Sequence, residues 1–294
     1  MTTFKDVAEA WIASREHGSG SLGRIQFWIE QLGHLPIDGI SDDQVDDAIS
    51  ALVARGKLIG GISGAGKPTG QPLAGSTINR FVSTLGSIYK YARRLRVIKR
   101  SYTPPTIGIE KYPEPVDPEK YFREDEVERL IKVARVVDQK WRRLVPMILI
   151  GFHTGMRIGN IQQLTWSDIN FDDGTASVSI TKNGTPHISV LTERCIAELK
   201  KLPIGRGDEL IFRSDRGNYP FHYQKLWRKT CREAGFEGRT FHWLRHGCGS
   251  HLARAGASQA QMMQVMGHKT LTASARYIHG NVEDRKAVVG RVFK

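Results

Sequence analysis

Five prolines fall between Ser101 and Pro118, at positions 104, 105, 113, 115 and 118. Each fixes φ and removes a backbone donor, so no helix or central strand can run through this stretch, and no apolar period gives it a core of its own. It reads as an extended linker at about 101–118 that splits the 294 residues into 1–118 and 119–294. A chain of this length outgrows a single hydrophobic core, so two domains are expected on size alone.

The first part reads as a small helical domain. Thr3 can cap a helix through Ala13, Ser21 starts a second that stops before Gly33, and Ser41 with Asp42 and Asp43 opens a third that ends at Gly56. A fourth follows Ser76, with Ile78, Phe81, Val82, Leu85, Ile88 and Tyr89 on one helical face.

Charge identifies the class of partner. There are 43 Lys and Arg against 30 Asp and Glu, a formal net charge of +13. The excess is uneven: Met1 to Asp47 holds three bases and nine acids, whereas Arg80 to Arg100 holds seven bases and no acid. Nucleic acid is the leading polyanionic partner for such a cluster, because basic side chains displace condensed counterions from phosphates. Arg80, Lys90, Arg93, Arg94, Arg96, Lys99 and Arg100 are therefore the candidate DNA-binding residues. A merely solvated charged face on a structural helix is the bland alternative.

Other classes fit poorly. No run approaches the 18 or so apolar residues of a membrane span, and Lys5 and Asp6 stand where a signal peptide would be apolar, so a cytoplasmic protein without a membrane partner is expected. Three widely spaced cysteines, Cys195, Cys231 and Cys248, suit buried thiols rather than disulfides or a thiolate zinc site. The stretch from Gly60 to Pro68 approaches a phosphate-binding loop. Yet Pro68 stands where a magnesium-holding hydroxyl is needed and the upstream residues are helical, so a flexible glycine-rich loop is the better reading.

The second part opens with helical patterns at Glu124 to Ala134, Trp141 to Phe152 and Arg157 to Leu164. It then alternates over Ala176 to Thr181 and His187 to Leu191 around Asn183-Gly184, a strong hairpin signal. Glu209 to Phe212 is a candidate third strand, and helices follow. The expected fold class is mainly α with a small antiparallel β-sheet in the second domain.

Four separated pieces of this domain carry unusual polar residues: Thr154 to Arg157 (TGMR), Thr181 to Gly184 (TKNG), His242 to His246 (HWLRH), and Gly267-His268 through Tyr277. Singly, each has a bland explanation; Arg157 could pair with Asp168, Lys182 could be a turn lysine and Tyr277 a core aromatic. In order and spacing they resemble the signature of the tyrosine recombinases, the phage-integrase family of DNA strand-exchange enzymes, with nine residues from His268 to Tyr277. The resemblance implies a helical N-terminal core-binding domain joined to a mixed α/β catalytic domain.

It also implies an activity: site-specific cleavage and rejoining of DNA through a 3′-phosphotyrosyl intermediate, with no cofactor, metal or ATP. Arg157 and Arg245 would clamp the scissile phosphate with His268 as a further donor, since attack concentrates negative charge on the nonbridging oxygens and each guanidinium stays charged and bidentate. Tyr277 would be the nucleophile, His242 would handle its proton, and Lys182 would protonate the departing 5′ oxygen. A type IB topoisomerase shares this site but reseals the same strand; a DNA-binding regulator with a disused site is a third reading.

Asn160 stands where the family usually has a glutamate, which predicts a tuned site with weaker carboxylate support of the arginines. A metal at His242, His246 and His251 is disfavoured because no HExxH glutamate or thiolate pair accompanies them. His246 reads as a supporting residue, and His153, His187, His222 and His279 as structural or surface residues. The apolar tail Ala287, Val288, Val289, Val292 and Phe293 would fold back or dock on a neighbour, linking a homo-tetramer on DNA from subunits that are monomers or weak oligomers when free. DNA-bending accessory proteins are further expected partners. A separate arm-binding module ahead of the first helix is not expected. Target sequence and directionality are not legible.

Overall fold

The computed structural model describes residues 1–59, 66–114, 120–178, 186–267, 270 and 290. The chain divides into two compact units, Met1–Val116 and Asp117–Lys294. Among the described residues no helix is long and apolar enough to cross a membrane.

The first unit is built from four helices: α1 (Phe4–Ala13), α2 (Ser19–Leu32), α3 (Asp42–Arg55) and α4 (Gly75–Arg94). Two begin at reciprocal capping boxes, in which Thr3 pairs with Asp6 and Ser41 with Gln44. Two begin elsewhere than the sequence predicts: α2 starts at Ser19 behind Gly18, and α4 at Gly75 behind Ala74, neither with a side-chain cap. Phe4, Trp28, Leu85, Ile88 and Tyr89 share one core, and the Trp28 indole donates to the Phe81 carbonyl at 2.8 Å. Short strands β1 (Leu58–Ile59) and β2 (Lys67–Pro68) pair antiparallel, and the intervening 60–65 of the glycine-rich stretch lie outside the described residues.

Residues 101–114 have no helix or strand, yet they are strapped to this unit. The Tyr102 ring stacks on Tyr89 at 6.0 Å between centroids, and its hydroxyl donates to the Ile37 carbonyl at 3.4 Å. The Asn79 amide donates to the Tyr112 carbonyl and accepts from the Tyr112 N–H, both at 2.9 Å. The expected extended run is broken by a turn in which the Ile107 N–H donates to the Pro104 carbonyl at 3.0 Å, and the stretch is held to the helices by its tyrosines.

The second unit is organised around α6 (Leu144–His153), whose residues 144–152 are all buried. A helix apolar all round has to be covered on every side. Here α5 (Glu124–Val137), α8 (Glu193–Leu199) and α10 (His242–Arg254) do so, while α7 (Ile158–Gln163) follows it. Helices α9 (Gln224–Glu233) and α11 (Gln259–Met266) complete the described set.

A three-stranded antiparallel sheet runs β3 (Ile169–Asn170), β4 (Thr175–Val178), β5 (His187–Val190). The Asn183-Gly184 turn between β4 and β5 lies outside the described residues. The third strand is thus β3 and not Glu209 to Phe212. Those residues cross the 164–166 segment through a single bridge, Thr165 to Leu210, and lead into a separate hairpin of β6 (Arg213–Ser214) and β7 (Gly217–Pro220). On β5 the side facing the core is also unexpected: Ser189 is buried while Ile188 and Val190 are 65% and 73% exposed. Its pairing with Ala176 puts Ser189 on the covered face.

Candidate active site

The C-terminus of α6 makes the first turn of the site. The Thr154 hydroxyl donates to the Ile150 carbonyl at 2.6 Å and accepts from the Met156 N–H at 3.0 Å, which turns the chain out of the helix. Gly155 then takes φ +64°, a left-handed conformation. Arg157 follows as the exposed residue preceding α7, and its carbonyl accepts from the Asn160 N–H at 2.9 Å. Asp168 turns its carboxylate to Thr165 instead, taking its N–H and hydroxyl at 2.8 Å each.

Helix α10 brings the next pieces. His242 is its first residue and exposed, with its ring 4.6 Å from that of His246 one turn later. Arg245 is only 4% exposed and donates through Nη1 to the Gly155 carbonyl. That bond fixes the spacing of the Arg157 turn and the HWLRH helix. Burying a guanidinium is costly unless its donors are engaged, and the Gly155 carbonyl engages one of them. The Cys248 thiol, one turn on, donates to the His153 carbonyl at 3.7 Å.

The end of α11 meets the same turn. A β-carbon at Gly155 would lie 3.1 Å from the Met266 side chain and 3.3 Å from the Cys248 sulfur. Gly267 closes α11 at φ +62°, against the ring of His187 at the start of β5. The rung Val178–His187 is the last described pair of the two strands that flank Lys182 in sequence, and Gly267 is followed in sequence by His268. Residues of three of the four sequence motifs, Gly155, Arg245 and Gly267, thus gather around Gly155 and α11, with His187 of β5 against Gly267. Lys182, His268, Tyr277 and the apolar tail themselves lie outside the described residues.

In the first unit Arg80, Lys90, Arg93, Arg94, Arg96, Lys99 and Arg100 are all exposed, at the outer face and C-terminal end of α4. Arg93 also donates to the Tyr102 carbonyl at 2.8 Å. A second basic surface forms no charge run in the sequence: Lys225, Arg228, Lys229 and Arg232 are exposed on α9, opposite buried Trp227 and Cys231. Its signal in the sequence is an amphipathic period.

Among the described residues no group of three His, Cys, Asp or Glu stands together as metal ligands. All three cysteines are buried free thiols, with Cys231 and Cys248 pushed up to about 12 by burial. His153 bonds Thr192 Oγ1 at 2.7 Å, and burial holds its pKa below the usual imidazole value.

Comparison with known proteins gives a consistent picture. Residues 120–284 match the model of the phage integrase family. A Haemophilus influenzae protein bearing the name integrase/recombinase is 34% identical over 137 residues, and the match spans 45% of this chain but only 44% of that one. Tyrosine recombinase XerA of Pyrococcus furiosus is 27% identical over 228 residues, 73% of each chain. Among solved structures, the Tn1549 transposon integrase in complex with transposon right end DNA superposes with a TM-score of 0.74 at 17% identity, over 99% of this chain and 100% of that one. A lambda integrase dimer bound to a core site gives 0.66 at 20% identity, over 96% and 77%. At these identities the structural likeness speaks for the fold.

Proposed function

This chain belongs to the phage integrase family, the site-specific tyrosine recombinases, and on that premise we propose that it cuts and rejoins double-stranded DNA through Tyr277. Residues 1–118 would be the helical core-binding domain, gripping phosphates through the bases of α4, and 119–294 the catalytic domain.

The observation that carries this reading is the bond from buried Arg245 to the Gly155 carbonyl, two residues before exposed Arg157. It holds two guanidinium-bearing segments at one turn, where both forks can take the nonbridging oxygens of one phosphodiester. In the step so supported, Tyr277 Oη forms a bond to phosphorus while the bond from phosphorus to the 5′ oxygen breaks. The phenol proton passes to His242, and a proton from Lys182 goes to the leaving 5′ oxygen. His268 adds a donor to the phosphate. Because the phosphotyrosyl bond conserves the energy of the broken linkage, reversal by a 5′ hydroxyl of another strand needs no ATP. The tail from Ala287 onward would link four subunits on DNA.

The test incubates the protein with fragmented DNA of its host, stops the reaction with SDS and looks for protein covalently attached to 3′ ends. Adducts that vanish with Tyr277→Phe support the reading. Adducts that persist in that variant, or their absence despite DNA binding, overturn it.

A further inference from the structure

Helix α10 carries His242 as its first residue, and Phe241, the residue before it, supplies no capping side chain. A helix start without a cap frays, and His242 lies in the part that would fray. Its start is held partly by Phe241, buried against the rings of Tyr223 and Trp227, and partly by the segment just upstream.

Three residues upstream, Arg239 is fixed from several sides. Its Nη1 donates to the Glu126 carboxylate at 2.9 Å, and Glu126 is 7% exposed. Its guanidinium lies 4.8 to 5.1 Å from the ring centres of Phe122, Phe236 and Trp243. The Arg239 carbonyl in turn accepts from the Trp227 indole at 2.9 Å. Both side chain and backbone are therefore anchored, and Trp243, one wall of the aromatic ring, is the residue next to His242. The Trp243 carbonyl accepts from the Phe122 N–H at 3.3 Å, which ties the same turn to the segment just ahead of α5.

We propose that Arg239, held by Glu126 within this aromatic ring, is a positioning residue that fixes the first turn of α10 and thereby the imidazole of His242. The proposal rests on the reading of His242 as the group that takes the tyrosine proton. Arginine suits the post because its planar fork can meet a carboxylate and lie near three rings at once. Misplacing a proton acceptor by about 1 Å can cost on the order of 10²-fold in rate.

The test measures single-turnover cleavage of a nicked DNA substrate at saturating protein, in the native and His242→Ala backgrounds. Arg239→Met should slow cleavage by about 10²-fold in the native background and by less than about twofold when His242 is already gone, since a residue acting through His242 has nothing left to act on. DNA affinity should stay within about threefold, and Arg239→Lys, which keeps the charge but not the planar fork, should recover only part of the rate. Because Arg239→Met leaves the buried Glu126 carboxylate without its cation, with only the Arg123 N–H at 2.9 Å, the pair Glu126→Gln with Arg239→Met serves as the folded variant. Equal slowing in both backgrounds, or native cleavage by the folded pair, overturns the proposal. Native cleavage by His242→Ala alone would instead overturn the role given to His242.

Discussion

The ring nitrogen Nε2 of His187 stands 3.3 Å from the carbonyl oxygen of Val265, joining the start of β5 to the last turn of α11. A carbonyl only accepts, so this pairing calls for the tautomer with the proton on Nε2. The ring crowds any side chain at Gly267, where a β-carbon would sit 3.1 Å from Cδ2 and the imidazole would have to give way.

Gly267→Ala should therefore destabilise the second unit by about 1 to 2 kcal/mol, from the left-handed backbone alone, with added loss from displaced His187. Chemical denaturation measures the loss. In a His187→Ala background the added part should disappear, leaving only the backbone cost.

Replacing Arg80, Lys90 and Arg94 together by alanine should weaken DNA binding at every sequence alike. The slope of log affinity against log salt should fall by about 0.9 for each phosphate no longer neutralised, nearly 3 if all three bases touch DNA. A titration at several salt concentrations reads the slope. An unchanged slope would mean that these bases meet only solvent.

Glu198 is buried, which by itself would raise its pKa, but Arg135 at 2.6 Å and Lys201 at 2.7 Å hold it below the ordinary 4.5. A depressed folded pKa stabilises above the unfolded value and is lost as pH falls through the folded one. Glu198→Gln should thus cost roughly 1 to 2 kcal/mol at neutral pH, with both cations half-exposed, and the gap should close in acid. Melting temperatures of both proteins between neutral pH and pH below 4.5 check the convergence.

Cys195, Cys231 and Cys248 are 0%, 1% and 3% exposed, and burial raises all three thiol pKa values. A thiolate-selective reagent at neutral pH should label none in minutes and all three in denaturant. Labelling of any one before unfolding would contradict the packing described for α8, α9 and α10.

Local chemistry makes parts of the fold readable. Thr3 with Asp6 and Ser41 mark helix starts because the capping atoms are neighbours in sequence. The starts of α2 and α4 escape such reading because Gly18 and Ala74 offer no capping atoms. Strand β3 has two residues, too few to show alternation. The motifs around Arg157 and Arg245 stand out as residue patterns, but the bond of Arg245 to Gly155 spans 90 positions, and that of Arg239 to Glu126 spans 113. Nothing in either local sequence announces a partner so far away. His187 is the same case, a histidine of ordinary surroundings in sequence whose partner lies 78 positions on.

The strap from Tyr102 to Tyr112 decides where the first unit can be cut free. A fragment ending at Arg100 would uncover one face of Tyr89 and leave the Asn79 amide without its backbone partners. It would be a sticky, weakened four-helix piece, whatever its affinity for DNA. A fragment carried past Glu114 keeps the aromatic cover and the Asn79 clasp, including its 2.6 Å bond to the Glu114 carboxylate. The proline-rich stretch that divides the chain on paper thus travels with the N-terminal half when the two are separated at the bench.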